Sequence, residues 1–217
     1  MTEMKQEVKF DRRQGIGGSD ATRLYEGDWY QVWSEKVGET PPADLSDVLP
    51  VQMGVHTESF NIDWFKKQTG HNVIMQQELI FHTKYKYIYA HIDGLVQENK
   101  DDCTPTIGLL ECKHTNAFSN PTKVTDKYMP QIQHYLMVSN YDKAYLSVFF
   151  GNLKYEVIEI EKSIDFQRKL LAAEVLFWHY VKTKQAPPEM ITWDTFKPIG
   201  QKLDGKNKEL VPLLSRI

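Results

Sequence analysis

The sequence predicts an α/β (α+β) fold, a central mixed β-sheet flanked by helices, and three observations carry that expectation. Strand-length runs rich in Val, Ile, Tyr and Phe lie between residues 72 and 113 and again between 144 and 160. Segments with apolar residues three or four apart precede, separate and follow those runs, and most of them stop at Gly or Pro. Gly151-Asn152, between the last two apolar runs, has the chemistry of a hairpin turn.

Taken in order, a polar leader gives way to Arg12-Arg13-Gln14-Gly15-Ile16-Gly17-Gly18-Ser19-Asp20-Ala21, two cations joined to a glycine-rich turn and a Ser/Asp pair suited to capping a helix. Trp29 to Val37, closed by Gly38, forms a short helix with Trp29, Val32 and Trp33 facing the core. A longer helix over Val51 to Thr69 ends at Gly70, with Val55, Phe60, Ile62, Trp64 and Phe65 as its apolar surface and Glu58 within it. Strands are expected over Asn72 to Met75 continuing through Leu79 to Phe81, over Tyr85 to Ile92 and over Ile107 to Lys113, with Gln97 to Pro105 as a hairpin loop. A helix over Asp126 to Ser139 and strands over Ala144 to Phe150 and Tyr155 to Ile160 follow. Ser163 caps a long amphipathic helix to about Lys182, buried through Phe166, Leu170, Ala173, Phe177 and Val181 and stopped by Pro187-Pro188. Residues 1–188 read as a single domain, and 189–217 as a tail that packs on it or on a neighbouring subunit.

Composition excludes several classes. A chain of 217 residues with 41% hydrophobic and 25% charged residues can bury a core. No apolar run approaches a membrane span and no secretory signal opens the chain, so the expected location is the cytoplasm. Two cysteines, Cys103 and Cys112, without a CxxC pair or clustered histidines, argue against disulfides and zinc. A net charge of -3 does not suggest a protein that coats nucleic acid through a broadly basic surface, and it leaves room for one with a local basic channel.

The chemistry concentrates between His91 and Lys113. Asp93 follows one strand and Glu111 ends another, and alternation along a strand puts Glu111 and Lys113 on one face with the Cys112 side chain on the other. Two carboxylates beside an ammonium suit a hard divalent cation and an attacking water: Asp93 and Glu111 as metal ligands, the Cys112 carbonyl as a further one, and Lys113 orienting or deprotonating the water. Glu58 is a third carboxylate if its helix packs against the strand ends. The arginines and glycines of the first motif form an anion cradle at a helix start, with Arg12 and Ser19 as side-chain donors. The same residues also read plainly: Glu111 and Lys113 as an ion pair between strands, Asp93-Gly94 as a turn, and the glycines as a capped structural turn.

The order of these motifs resembles the PD-(D/E)xK nuclease superfamily. The segments Gly15-Ile16-Gly17-Gly18-Ser19-Asp20-Ala21, Gly54 to Glu58, His91 to Gly94 and Tyr128 to His134 are similar, more narrowly, to the YqaJ and lambda-exonuclease family of phage recombination nucleases. That resemblance implies a restriction-endonuclease-like core and a Mg2+-dependent enzyme, with Mn2+ able to substitute, that degrades one strand of linear duplex DNA from its 5′ end to leave 3′ overhangs. It implies a homotrimeric ring around double-stranded DNA ends, a single-strand annealing protein as partner, and a phage protein at work in a bacterial cytoplasm. Carried to this chain, Asp93 and Glu111 hold metal, Glu58 serves a second metal or its water, Lys113 activates water and Gln131 stands near the scissile phosphate. Arg12 and Ser19 match the pocket for the terminal 5′ phosphate, with Tyr128 lining the same cleft; His91 stands where relatives carry a small hydroxyl or proline. An endonuclease or resolvase on the same core, and a non-catalytic DNA-end-binding scaffold, are the competing readings.

Overall fold

The computed structural model describes residues 10–98, 107–202 and 207–217. The polar leader, Cys103 and the expected loop beyond Glu98 lie outside the described residues. Elements run in the order α1 (Gly18–Tyr25), α2 (Trp29–Val37), α3 (Leu49–Thr69), β1 (Asn72–Ile74), β2 (Glu78–Phe81), β3 (Tyr89–Ile92), β4 (Gly94–Gln97), β5 (Ile107–Thr115) and α4 (Pro121–Ser139), then β6 (Lys143–Phe150), β7 (Lys154–Glu161), α5 (Ile164–Thr183), α6 (Phe196–Gln201) and α7 (Leu210–Leu214). The main sheet has the strand order β1-β4-β5-β6-β7, and β2 pairs with β3 in a separate two-stranded sheet. Only the β5–β6 pair among these is parallel, and α4 is the crossover that a parallel pair requires. The sheet is therefore mixed, as the sequence predicts.

Side-chain alternation sorts the strands into two cores. Leu110, Cys112, Val96 and Tyr145 pack with Ile62 and Phe65 of α3 on one face. Leu109, Leu95, Leu146 and Val148 join Ile132 and Leu136 of α4, Leu176 and Phe177 of α5, and Trp29 of α2 on the other. Phe196, Leu210 and Leu214, from the segment after Pro188, belong to that larger core and are almost fully buried.

Several elements depart from their expected bounds, each for a local reason. The run from Asn72 to Phe81 is broken by Met75 and Gln77, whose φ angles of 49° and 57° are left-handed and turn the chain out of the main sheet. The strand expected from Tyr85 starts at Tyr89, because His82 Nδ1 accepts the amides of Lys84 and Tyr85 and closes a turn there. Helix α4 starts earlier than its apolar pattern, where Asn120 accepts the Lys123 amide and Pro121 takes the first turn. Helix α1 is capped by Gly17 rather than by Ser19; Asp20 instead reaches back to the Gly17 amide at 2.9 Å. Helix α5 ends at left-handed Lys184, ahead of the prolines expected to stop it. Val55 and Phe60, expected among the apolar contacts of α3, are 61% and 56% exposed, whereas Ile62 and Phe65 are buried.

Candidate active site

The main sheet splits beside β5. Strand β4 pairs with β5 only as far as Gly94 opposite Leu110. One residue earlier the chain leaves for the small sheet, so β5 beyond Leu110 has no strand on that side. Asp93 sits at the departure point and its Oδ2 accepts the Cys112 amide at 2.7 Å, replacing the missing ladder bond. Because the sheet opens there, side chains from both faces border the same gap: Lys113 from the α4 face and Glu58 from α3. A cleft lined by Glu58, Asp93, Lys113, His114, Lys127 and Tyr128 occupies the opening, with Leu49, Val51, Met53 and Val55 along its α3 rim.

Beside it, joined through Lys113, Glu111 is 3% exposed and its Oε1 accepts both Lys113 Nζ at 2.5 Å and Gln131 Nε2 at 2.8 Å. Its Oε2 is buried and has no hydrogen-bond partner among the described residues. Gln131 is held in turn by Tyr135 Oη at 2.9 Å, and Lys113 Nζ lies 4.8 Å from the centre of the Tyr128 ring. Glu58 accepts a hydrogen bond from Gln77. Of the residues expected to converge, Glu58, Asp93, Lys113 and Tyr128 line the cleft together, and Glu111 and Gln131 connect to it through the Glu111–Lys113 ion pair.

Burial and mutual repulsion shape the titration of this group. Burial, reinforced by the Asp93 charge, pushes Glu111 up to about 7 despite the Lys113 ammonium against it. Asp93 is pushed up to about 6, chiefly by burial, with Lys113 and the Cys112 amide opposing. Glu58 is raised by burial and by the Glu111 charge. Burial pulls Lys113 down, but Glu111 and Asp93 outweigh it and hold the ammonium above its ordinary value. Lys113 as arranged is a cation that can orient a water or stabilise a phosphate oxygen.

The donor set has the chemistry of a hard divalent cation. Among the described residues no group of three or more His, Cys, Asp or Glu side chains is arranged to hold an ion. Asp93 and the unpartnered Glu111 oxygen instead offer two carboxylates, oxygen donors of the kind a hard divalent cation takes. The Cys112 thiol points away into the α3 core, where burial raises it well above its ordinary range.

The glycine-rich motif adjoins this centre. Arg12 Nη2 donates to Ser19 Oγ at 2.6 Å, so the two expected anion donors stand together, while Arg13 turns away to Asp11 at 2.9 Å. A Cβ on Gly18 would lie 2.7 Å from Gln131 Cγ and 2.5 Å from Tyr135 Cε1, which brings the start of α1 against the residue that contacts Glu111. Three supporting residues escaped the reading of the sequence. Asn61, one turn beyond Glu58, is buried and donates to the carbonyls of Lys113 at 3.3 Å and Ser147 at 3.1 Å, pinning α3 to β5 and β6. Tyr135 holds Gln131, and Gln77 holds Glu58. An Asn amid the apolar positions of α3, and the spacing of Gln131 and Tyr135 one turn apart on one helix, were the signals available for these.

A mixed sheet split beside a buried acid–lysine pair, with helices on both faces, defines this chain as sharing the fold of known exonucleases. It is similar to an alkaline exonuclease (LHK-Exo) from Laribacter hongkongensis, solved in complex with dAMP, with a TM-score of 0.62, 16% identity, 88% of this chain covered and 96% of that one. It is also similar to a phage-related exonuclease from Haemophilus somnus 129PT, with a TM-score of 0.53, 10% identity and 84% and 91% covered. The model of the YqaJ-like viral recombinase domain matches residues 9–142, and the chain belongs to that family. The uncharacterised protein YqaJ of Bacillus subtilis (strain 168) is 29% identical over a match of 185 residues that covers 81% of this chain and 56% of that relative. This chain thus spans little more than half the length of the curated relative.

Proposed function

We propose that the protein is a Mg2+-dependent exonuclease that hydrolyses one strand of linear double-stranded DNA from its 5′ end, leaving 3′ overhangs for single-strand-annealing recombination. One observation carries the reading: a buried Glu111 carboxylate with an unpartnered oxygen, facing Lys113 and Gln131 and close enough to Asp93 for their charges to interact, where the sheet opens. Family membership in a viral recombinase domain and a fold shared with an exonuclease solved with dAMP, a nucleoside monophosphate, support it.

In this reading Asp93, Glu111 and the Cys112 carbonyl hold the metal, and Glu58 holds a second one or its water. The ion supplies Lewis-acid stabilisation of charge on the phosphate oxygens and a more acidic water. Lys113 orients that water from its seat on Tyr128, and Gln131 fixes Glu111 and faces the scissile phosphate. Arg12, Ser19 and the start of α1 receive the terminal 5′ phosphate, with Tyr128 lining the path. A homotrimeric ring, a single-strand annealing partner and a phage origin in a bacterial cytoplasm complete the proposal. Among the described residues no helix is long and apolar enough to cross a membrane.

A timed digestion of linear and closed circular duplex, with and without Mg2+ and with 5′-phosphate or 5′-hydroxyl ends, tests it. Linear DNA should be consumed only with the metal and closed circles should survive. Cutting of the circles would replace the exonuclease with an endonuclease, and binding of ends without any hydrolysis would leave a scaffold.

A further inference from the structure

Beneath the anion cradle lies an ion pair that the functional reading has not used. Asp20 is the third residue of α1, next to Ser19, and its side chain is 5% exposed. A carboxylate there faces the same end of the helix at which an anion is to bind, and an unpaired one would repel it. Lys36, from the last turn of α2 and equally buried, donates to Asp20 Oδ2 at 2.7 Å and to the Arg12 carbonyl at 2.7 Å. The same Asp20 oxygen accepts the Gly17 amide at 2.9 Å. One ammonium therefore ties together the turn that carries Arg12, the glycine loop and the start of α1. It also neutralises the acid under the helix start.

We infer that Lys36 is a positioning residue of the 5′-phosphate site that acts through Asp20: it cancels the Asp20 charge beneath the cradle so that Arg12 and Ser19 can receive a terminal phosphate. The inference rests on the cradle reading of Arg12 and Ser19. Its chemistry differs from a purely structural ion pair in one respect. Removing Lys36 alone leaves a buried carboxylate facing the phosphate, whereas removing both charges does not.

The test is steady-state exonuclease kinetics on linear duplexes carrying 5′-phosphate or 5′-hydroxyl ends. In Lys36→Met the ratio of kcat/KM for phosphorylated over hydroxyl ends should fall about ten-fold, through KM rather than kcat. In the double variant Lys36→Met/Asp20→Asn most of that ratio should return. An unchanged ratio in Lys36→Met, or a double variant as impaired as the single one, overturns the inference. If Lys36→Met does not fold, Asp20→Asn alone decides: the ratio should hold or rise, and a fall overturns the charge argument. Arg12→Ala serves as the control. A ratio insensitive to Arg12→Ala removes the cradle itself, whereas a ratio lost in Arg12→Ala and kept in Lys36→Met removes only the role of Lys36.

Discussion

Glu111 is a carboxylate that its surroundings keep partly protonated near neutrality, since burial and the neighbouring Asp93 outweigh the Lys113 ammonium. Its pKa in the fold, about 7, lies above the ordinary 4.5, so the folded protein holds this proton to a higher pH than the unfolded chain does. The stability it contributes is present below about pH 4.5 and is lost as pH rises toward 7. Thermal melts without added metal should then show Glu111→Gln gaining on the parent by several degrees as pH rises across that window. A pH-independent difference would mean the carboxylate is not perturbed. In the proposed function the parent carboxylate binds Mg2+ and the amide does not, so with the ion present the comparison should reverse. Lys113→Ala and Asp93→Ala should each reduce hydrolysis by about 1,000-fold while the circular dichroism spectrum and end binding persist. Unchanged digestion by either variant would remove these residues from the chemistry. All of these side chains were legible as types in the sequence, because acids and a lysine at strand ends are an unusual use of charge. The missing partner on Glu111 Oε2 and the support from Asn61 and Gln77 were not, since each depends on contacts between residues far apart in the chain, whereas Tyr135 holds Gln131 from one turn along the same helix.

At the scale of elements, the site depends on α1 lying close against α4 and on the sheet parting at Asp93. Gly18 permits the first: a methyl group there would meet Tyr135 and Gln131 at 2.5 and 2.7 Å and force the helices apart. Gly18→Ala should cost about 1–3 kcal/mol in denaturant unfolding and lower kcat more than it lowers stability, because Gln131 moves off Glu111. An alanine variant of full activity would show that the approach of α1 is incidental. Gly94 marks the second, since a Cβ there would stand 2.7 Å from Val73 Cγ1 of the neighbouring strand. Helix periods and the β6–β7 hairpin were legible because both are local patterns. The division of one expected strand run into β1 and β2, and the late start of β3, were not. The backbone turns at Met75 and Gln77 and the closure by His82 work against strand-like composition, and only the pairing partners decide between them.

At the scale of the whole molecule, the segment after Pro188 is part of the support for the site. Phe196, Leu210 and Leu214 pack into the core that includes α5 and Trp29, and the same core backs α4 and the strands carrying Glu111. Phe196→Ala should destabilise the protein by about 3–5 kcal/mol, read as a shifted denaturation midpoint. Removal of residues 189–217 should leave an aggregating chain rather than a compact nuclease. A soluble, cooperatively melting product of that deletion would mean that the core closes without the segment.

Periodicity along the chain was sufficient for the mixed α/β class, for the face on which Glu111 and Lys113 lie and for the residue types of the proposed cation site, because those follow from side-chain spacing and donor chemistry within short segments. Tertiary structure alone decided that β5 runs free of β4 beyond Leu110, that Glu58 of α3 borders the same cleft as Asp93 and Lys113, and that Lys36 lies under Arg12 and Ser19. Those features arise where the sheet separates and where buried charges need partners, and such constraints act between segments that the linear order of residues keeps apart.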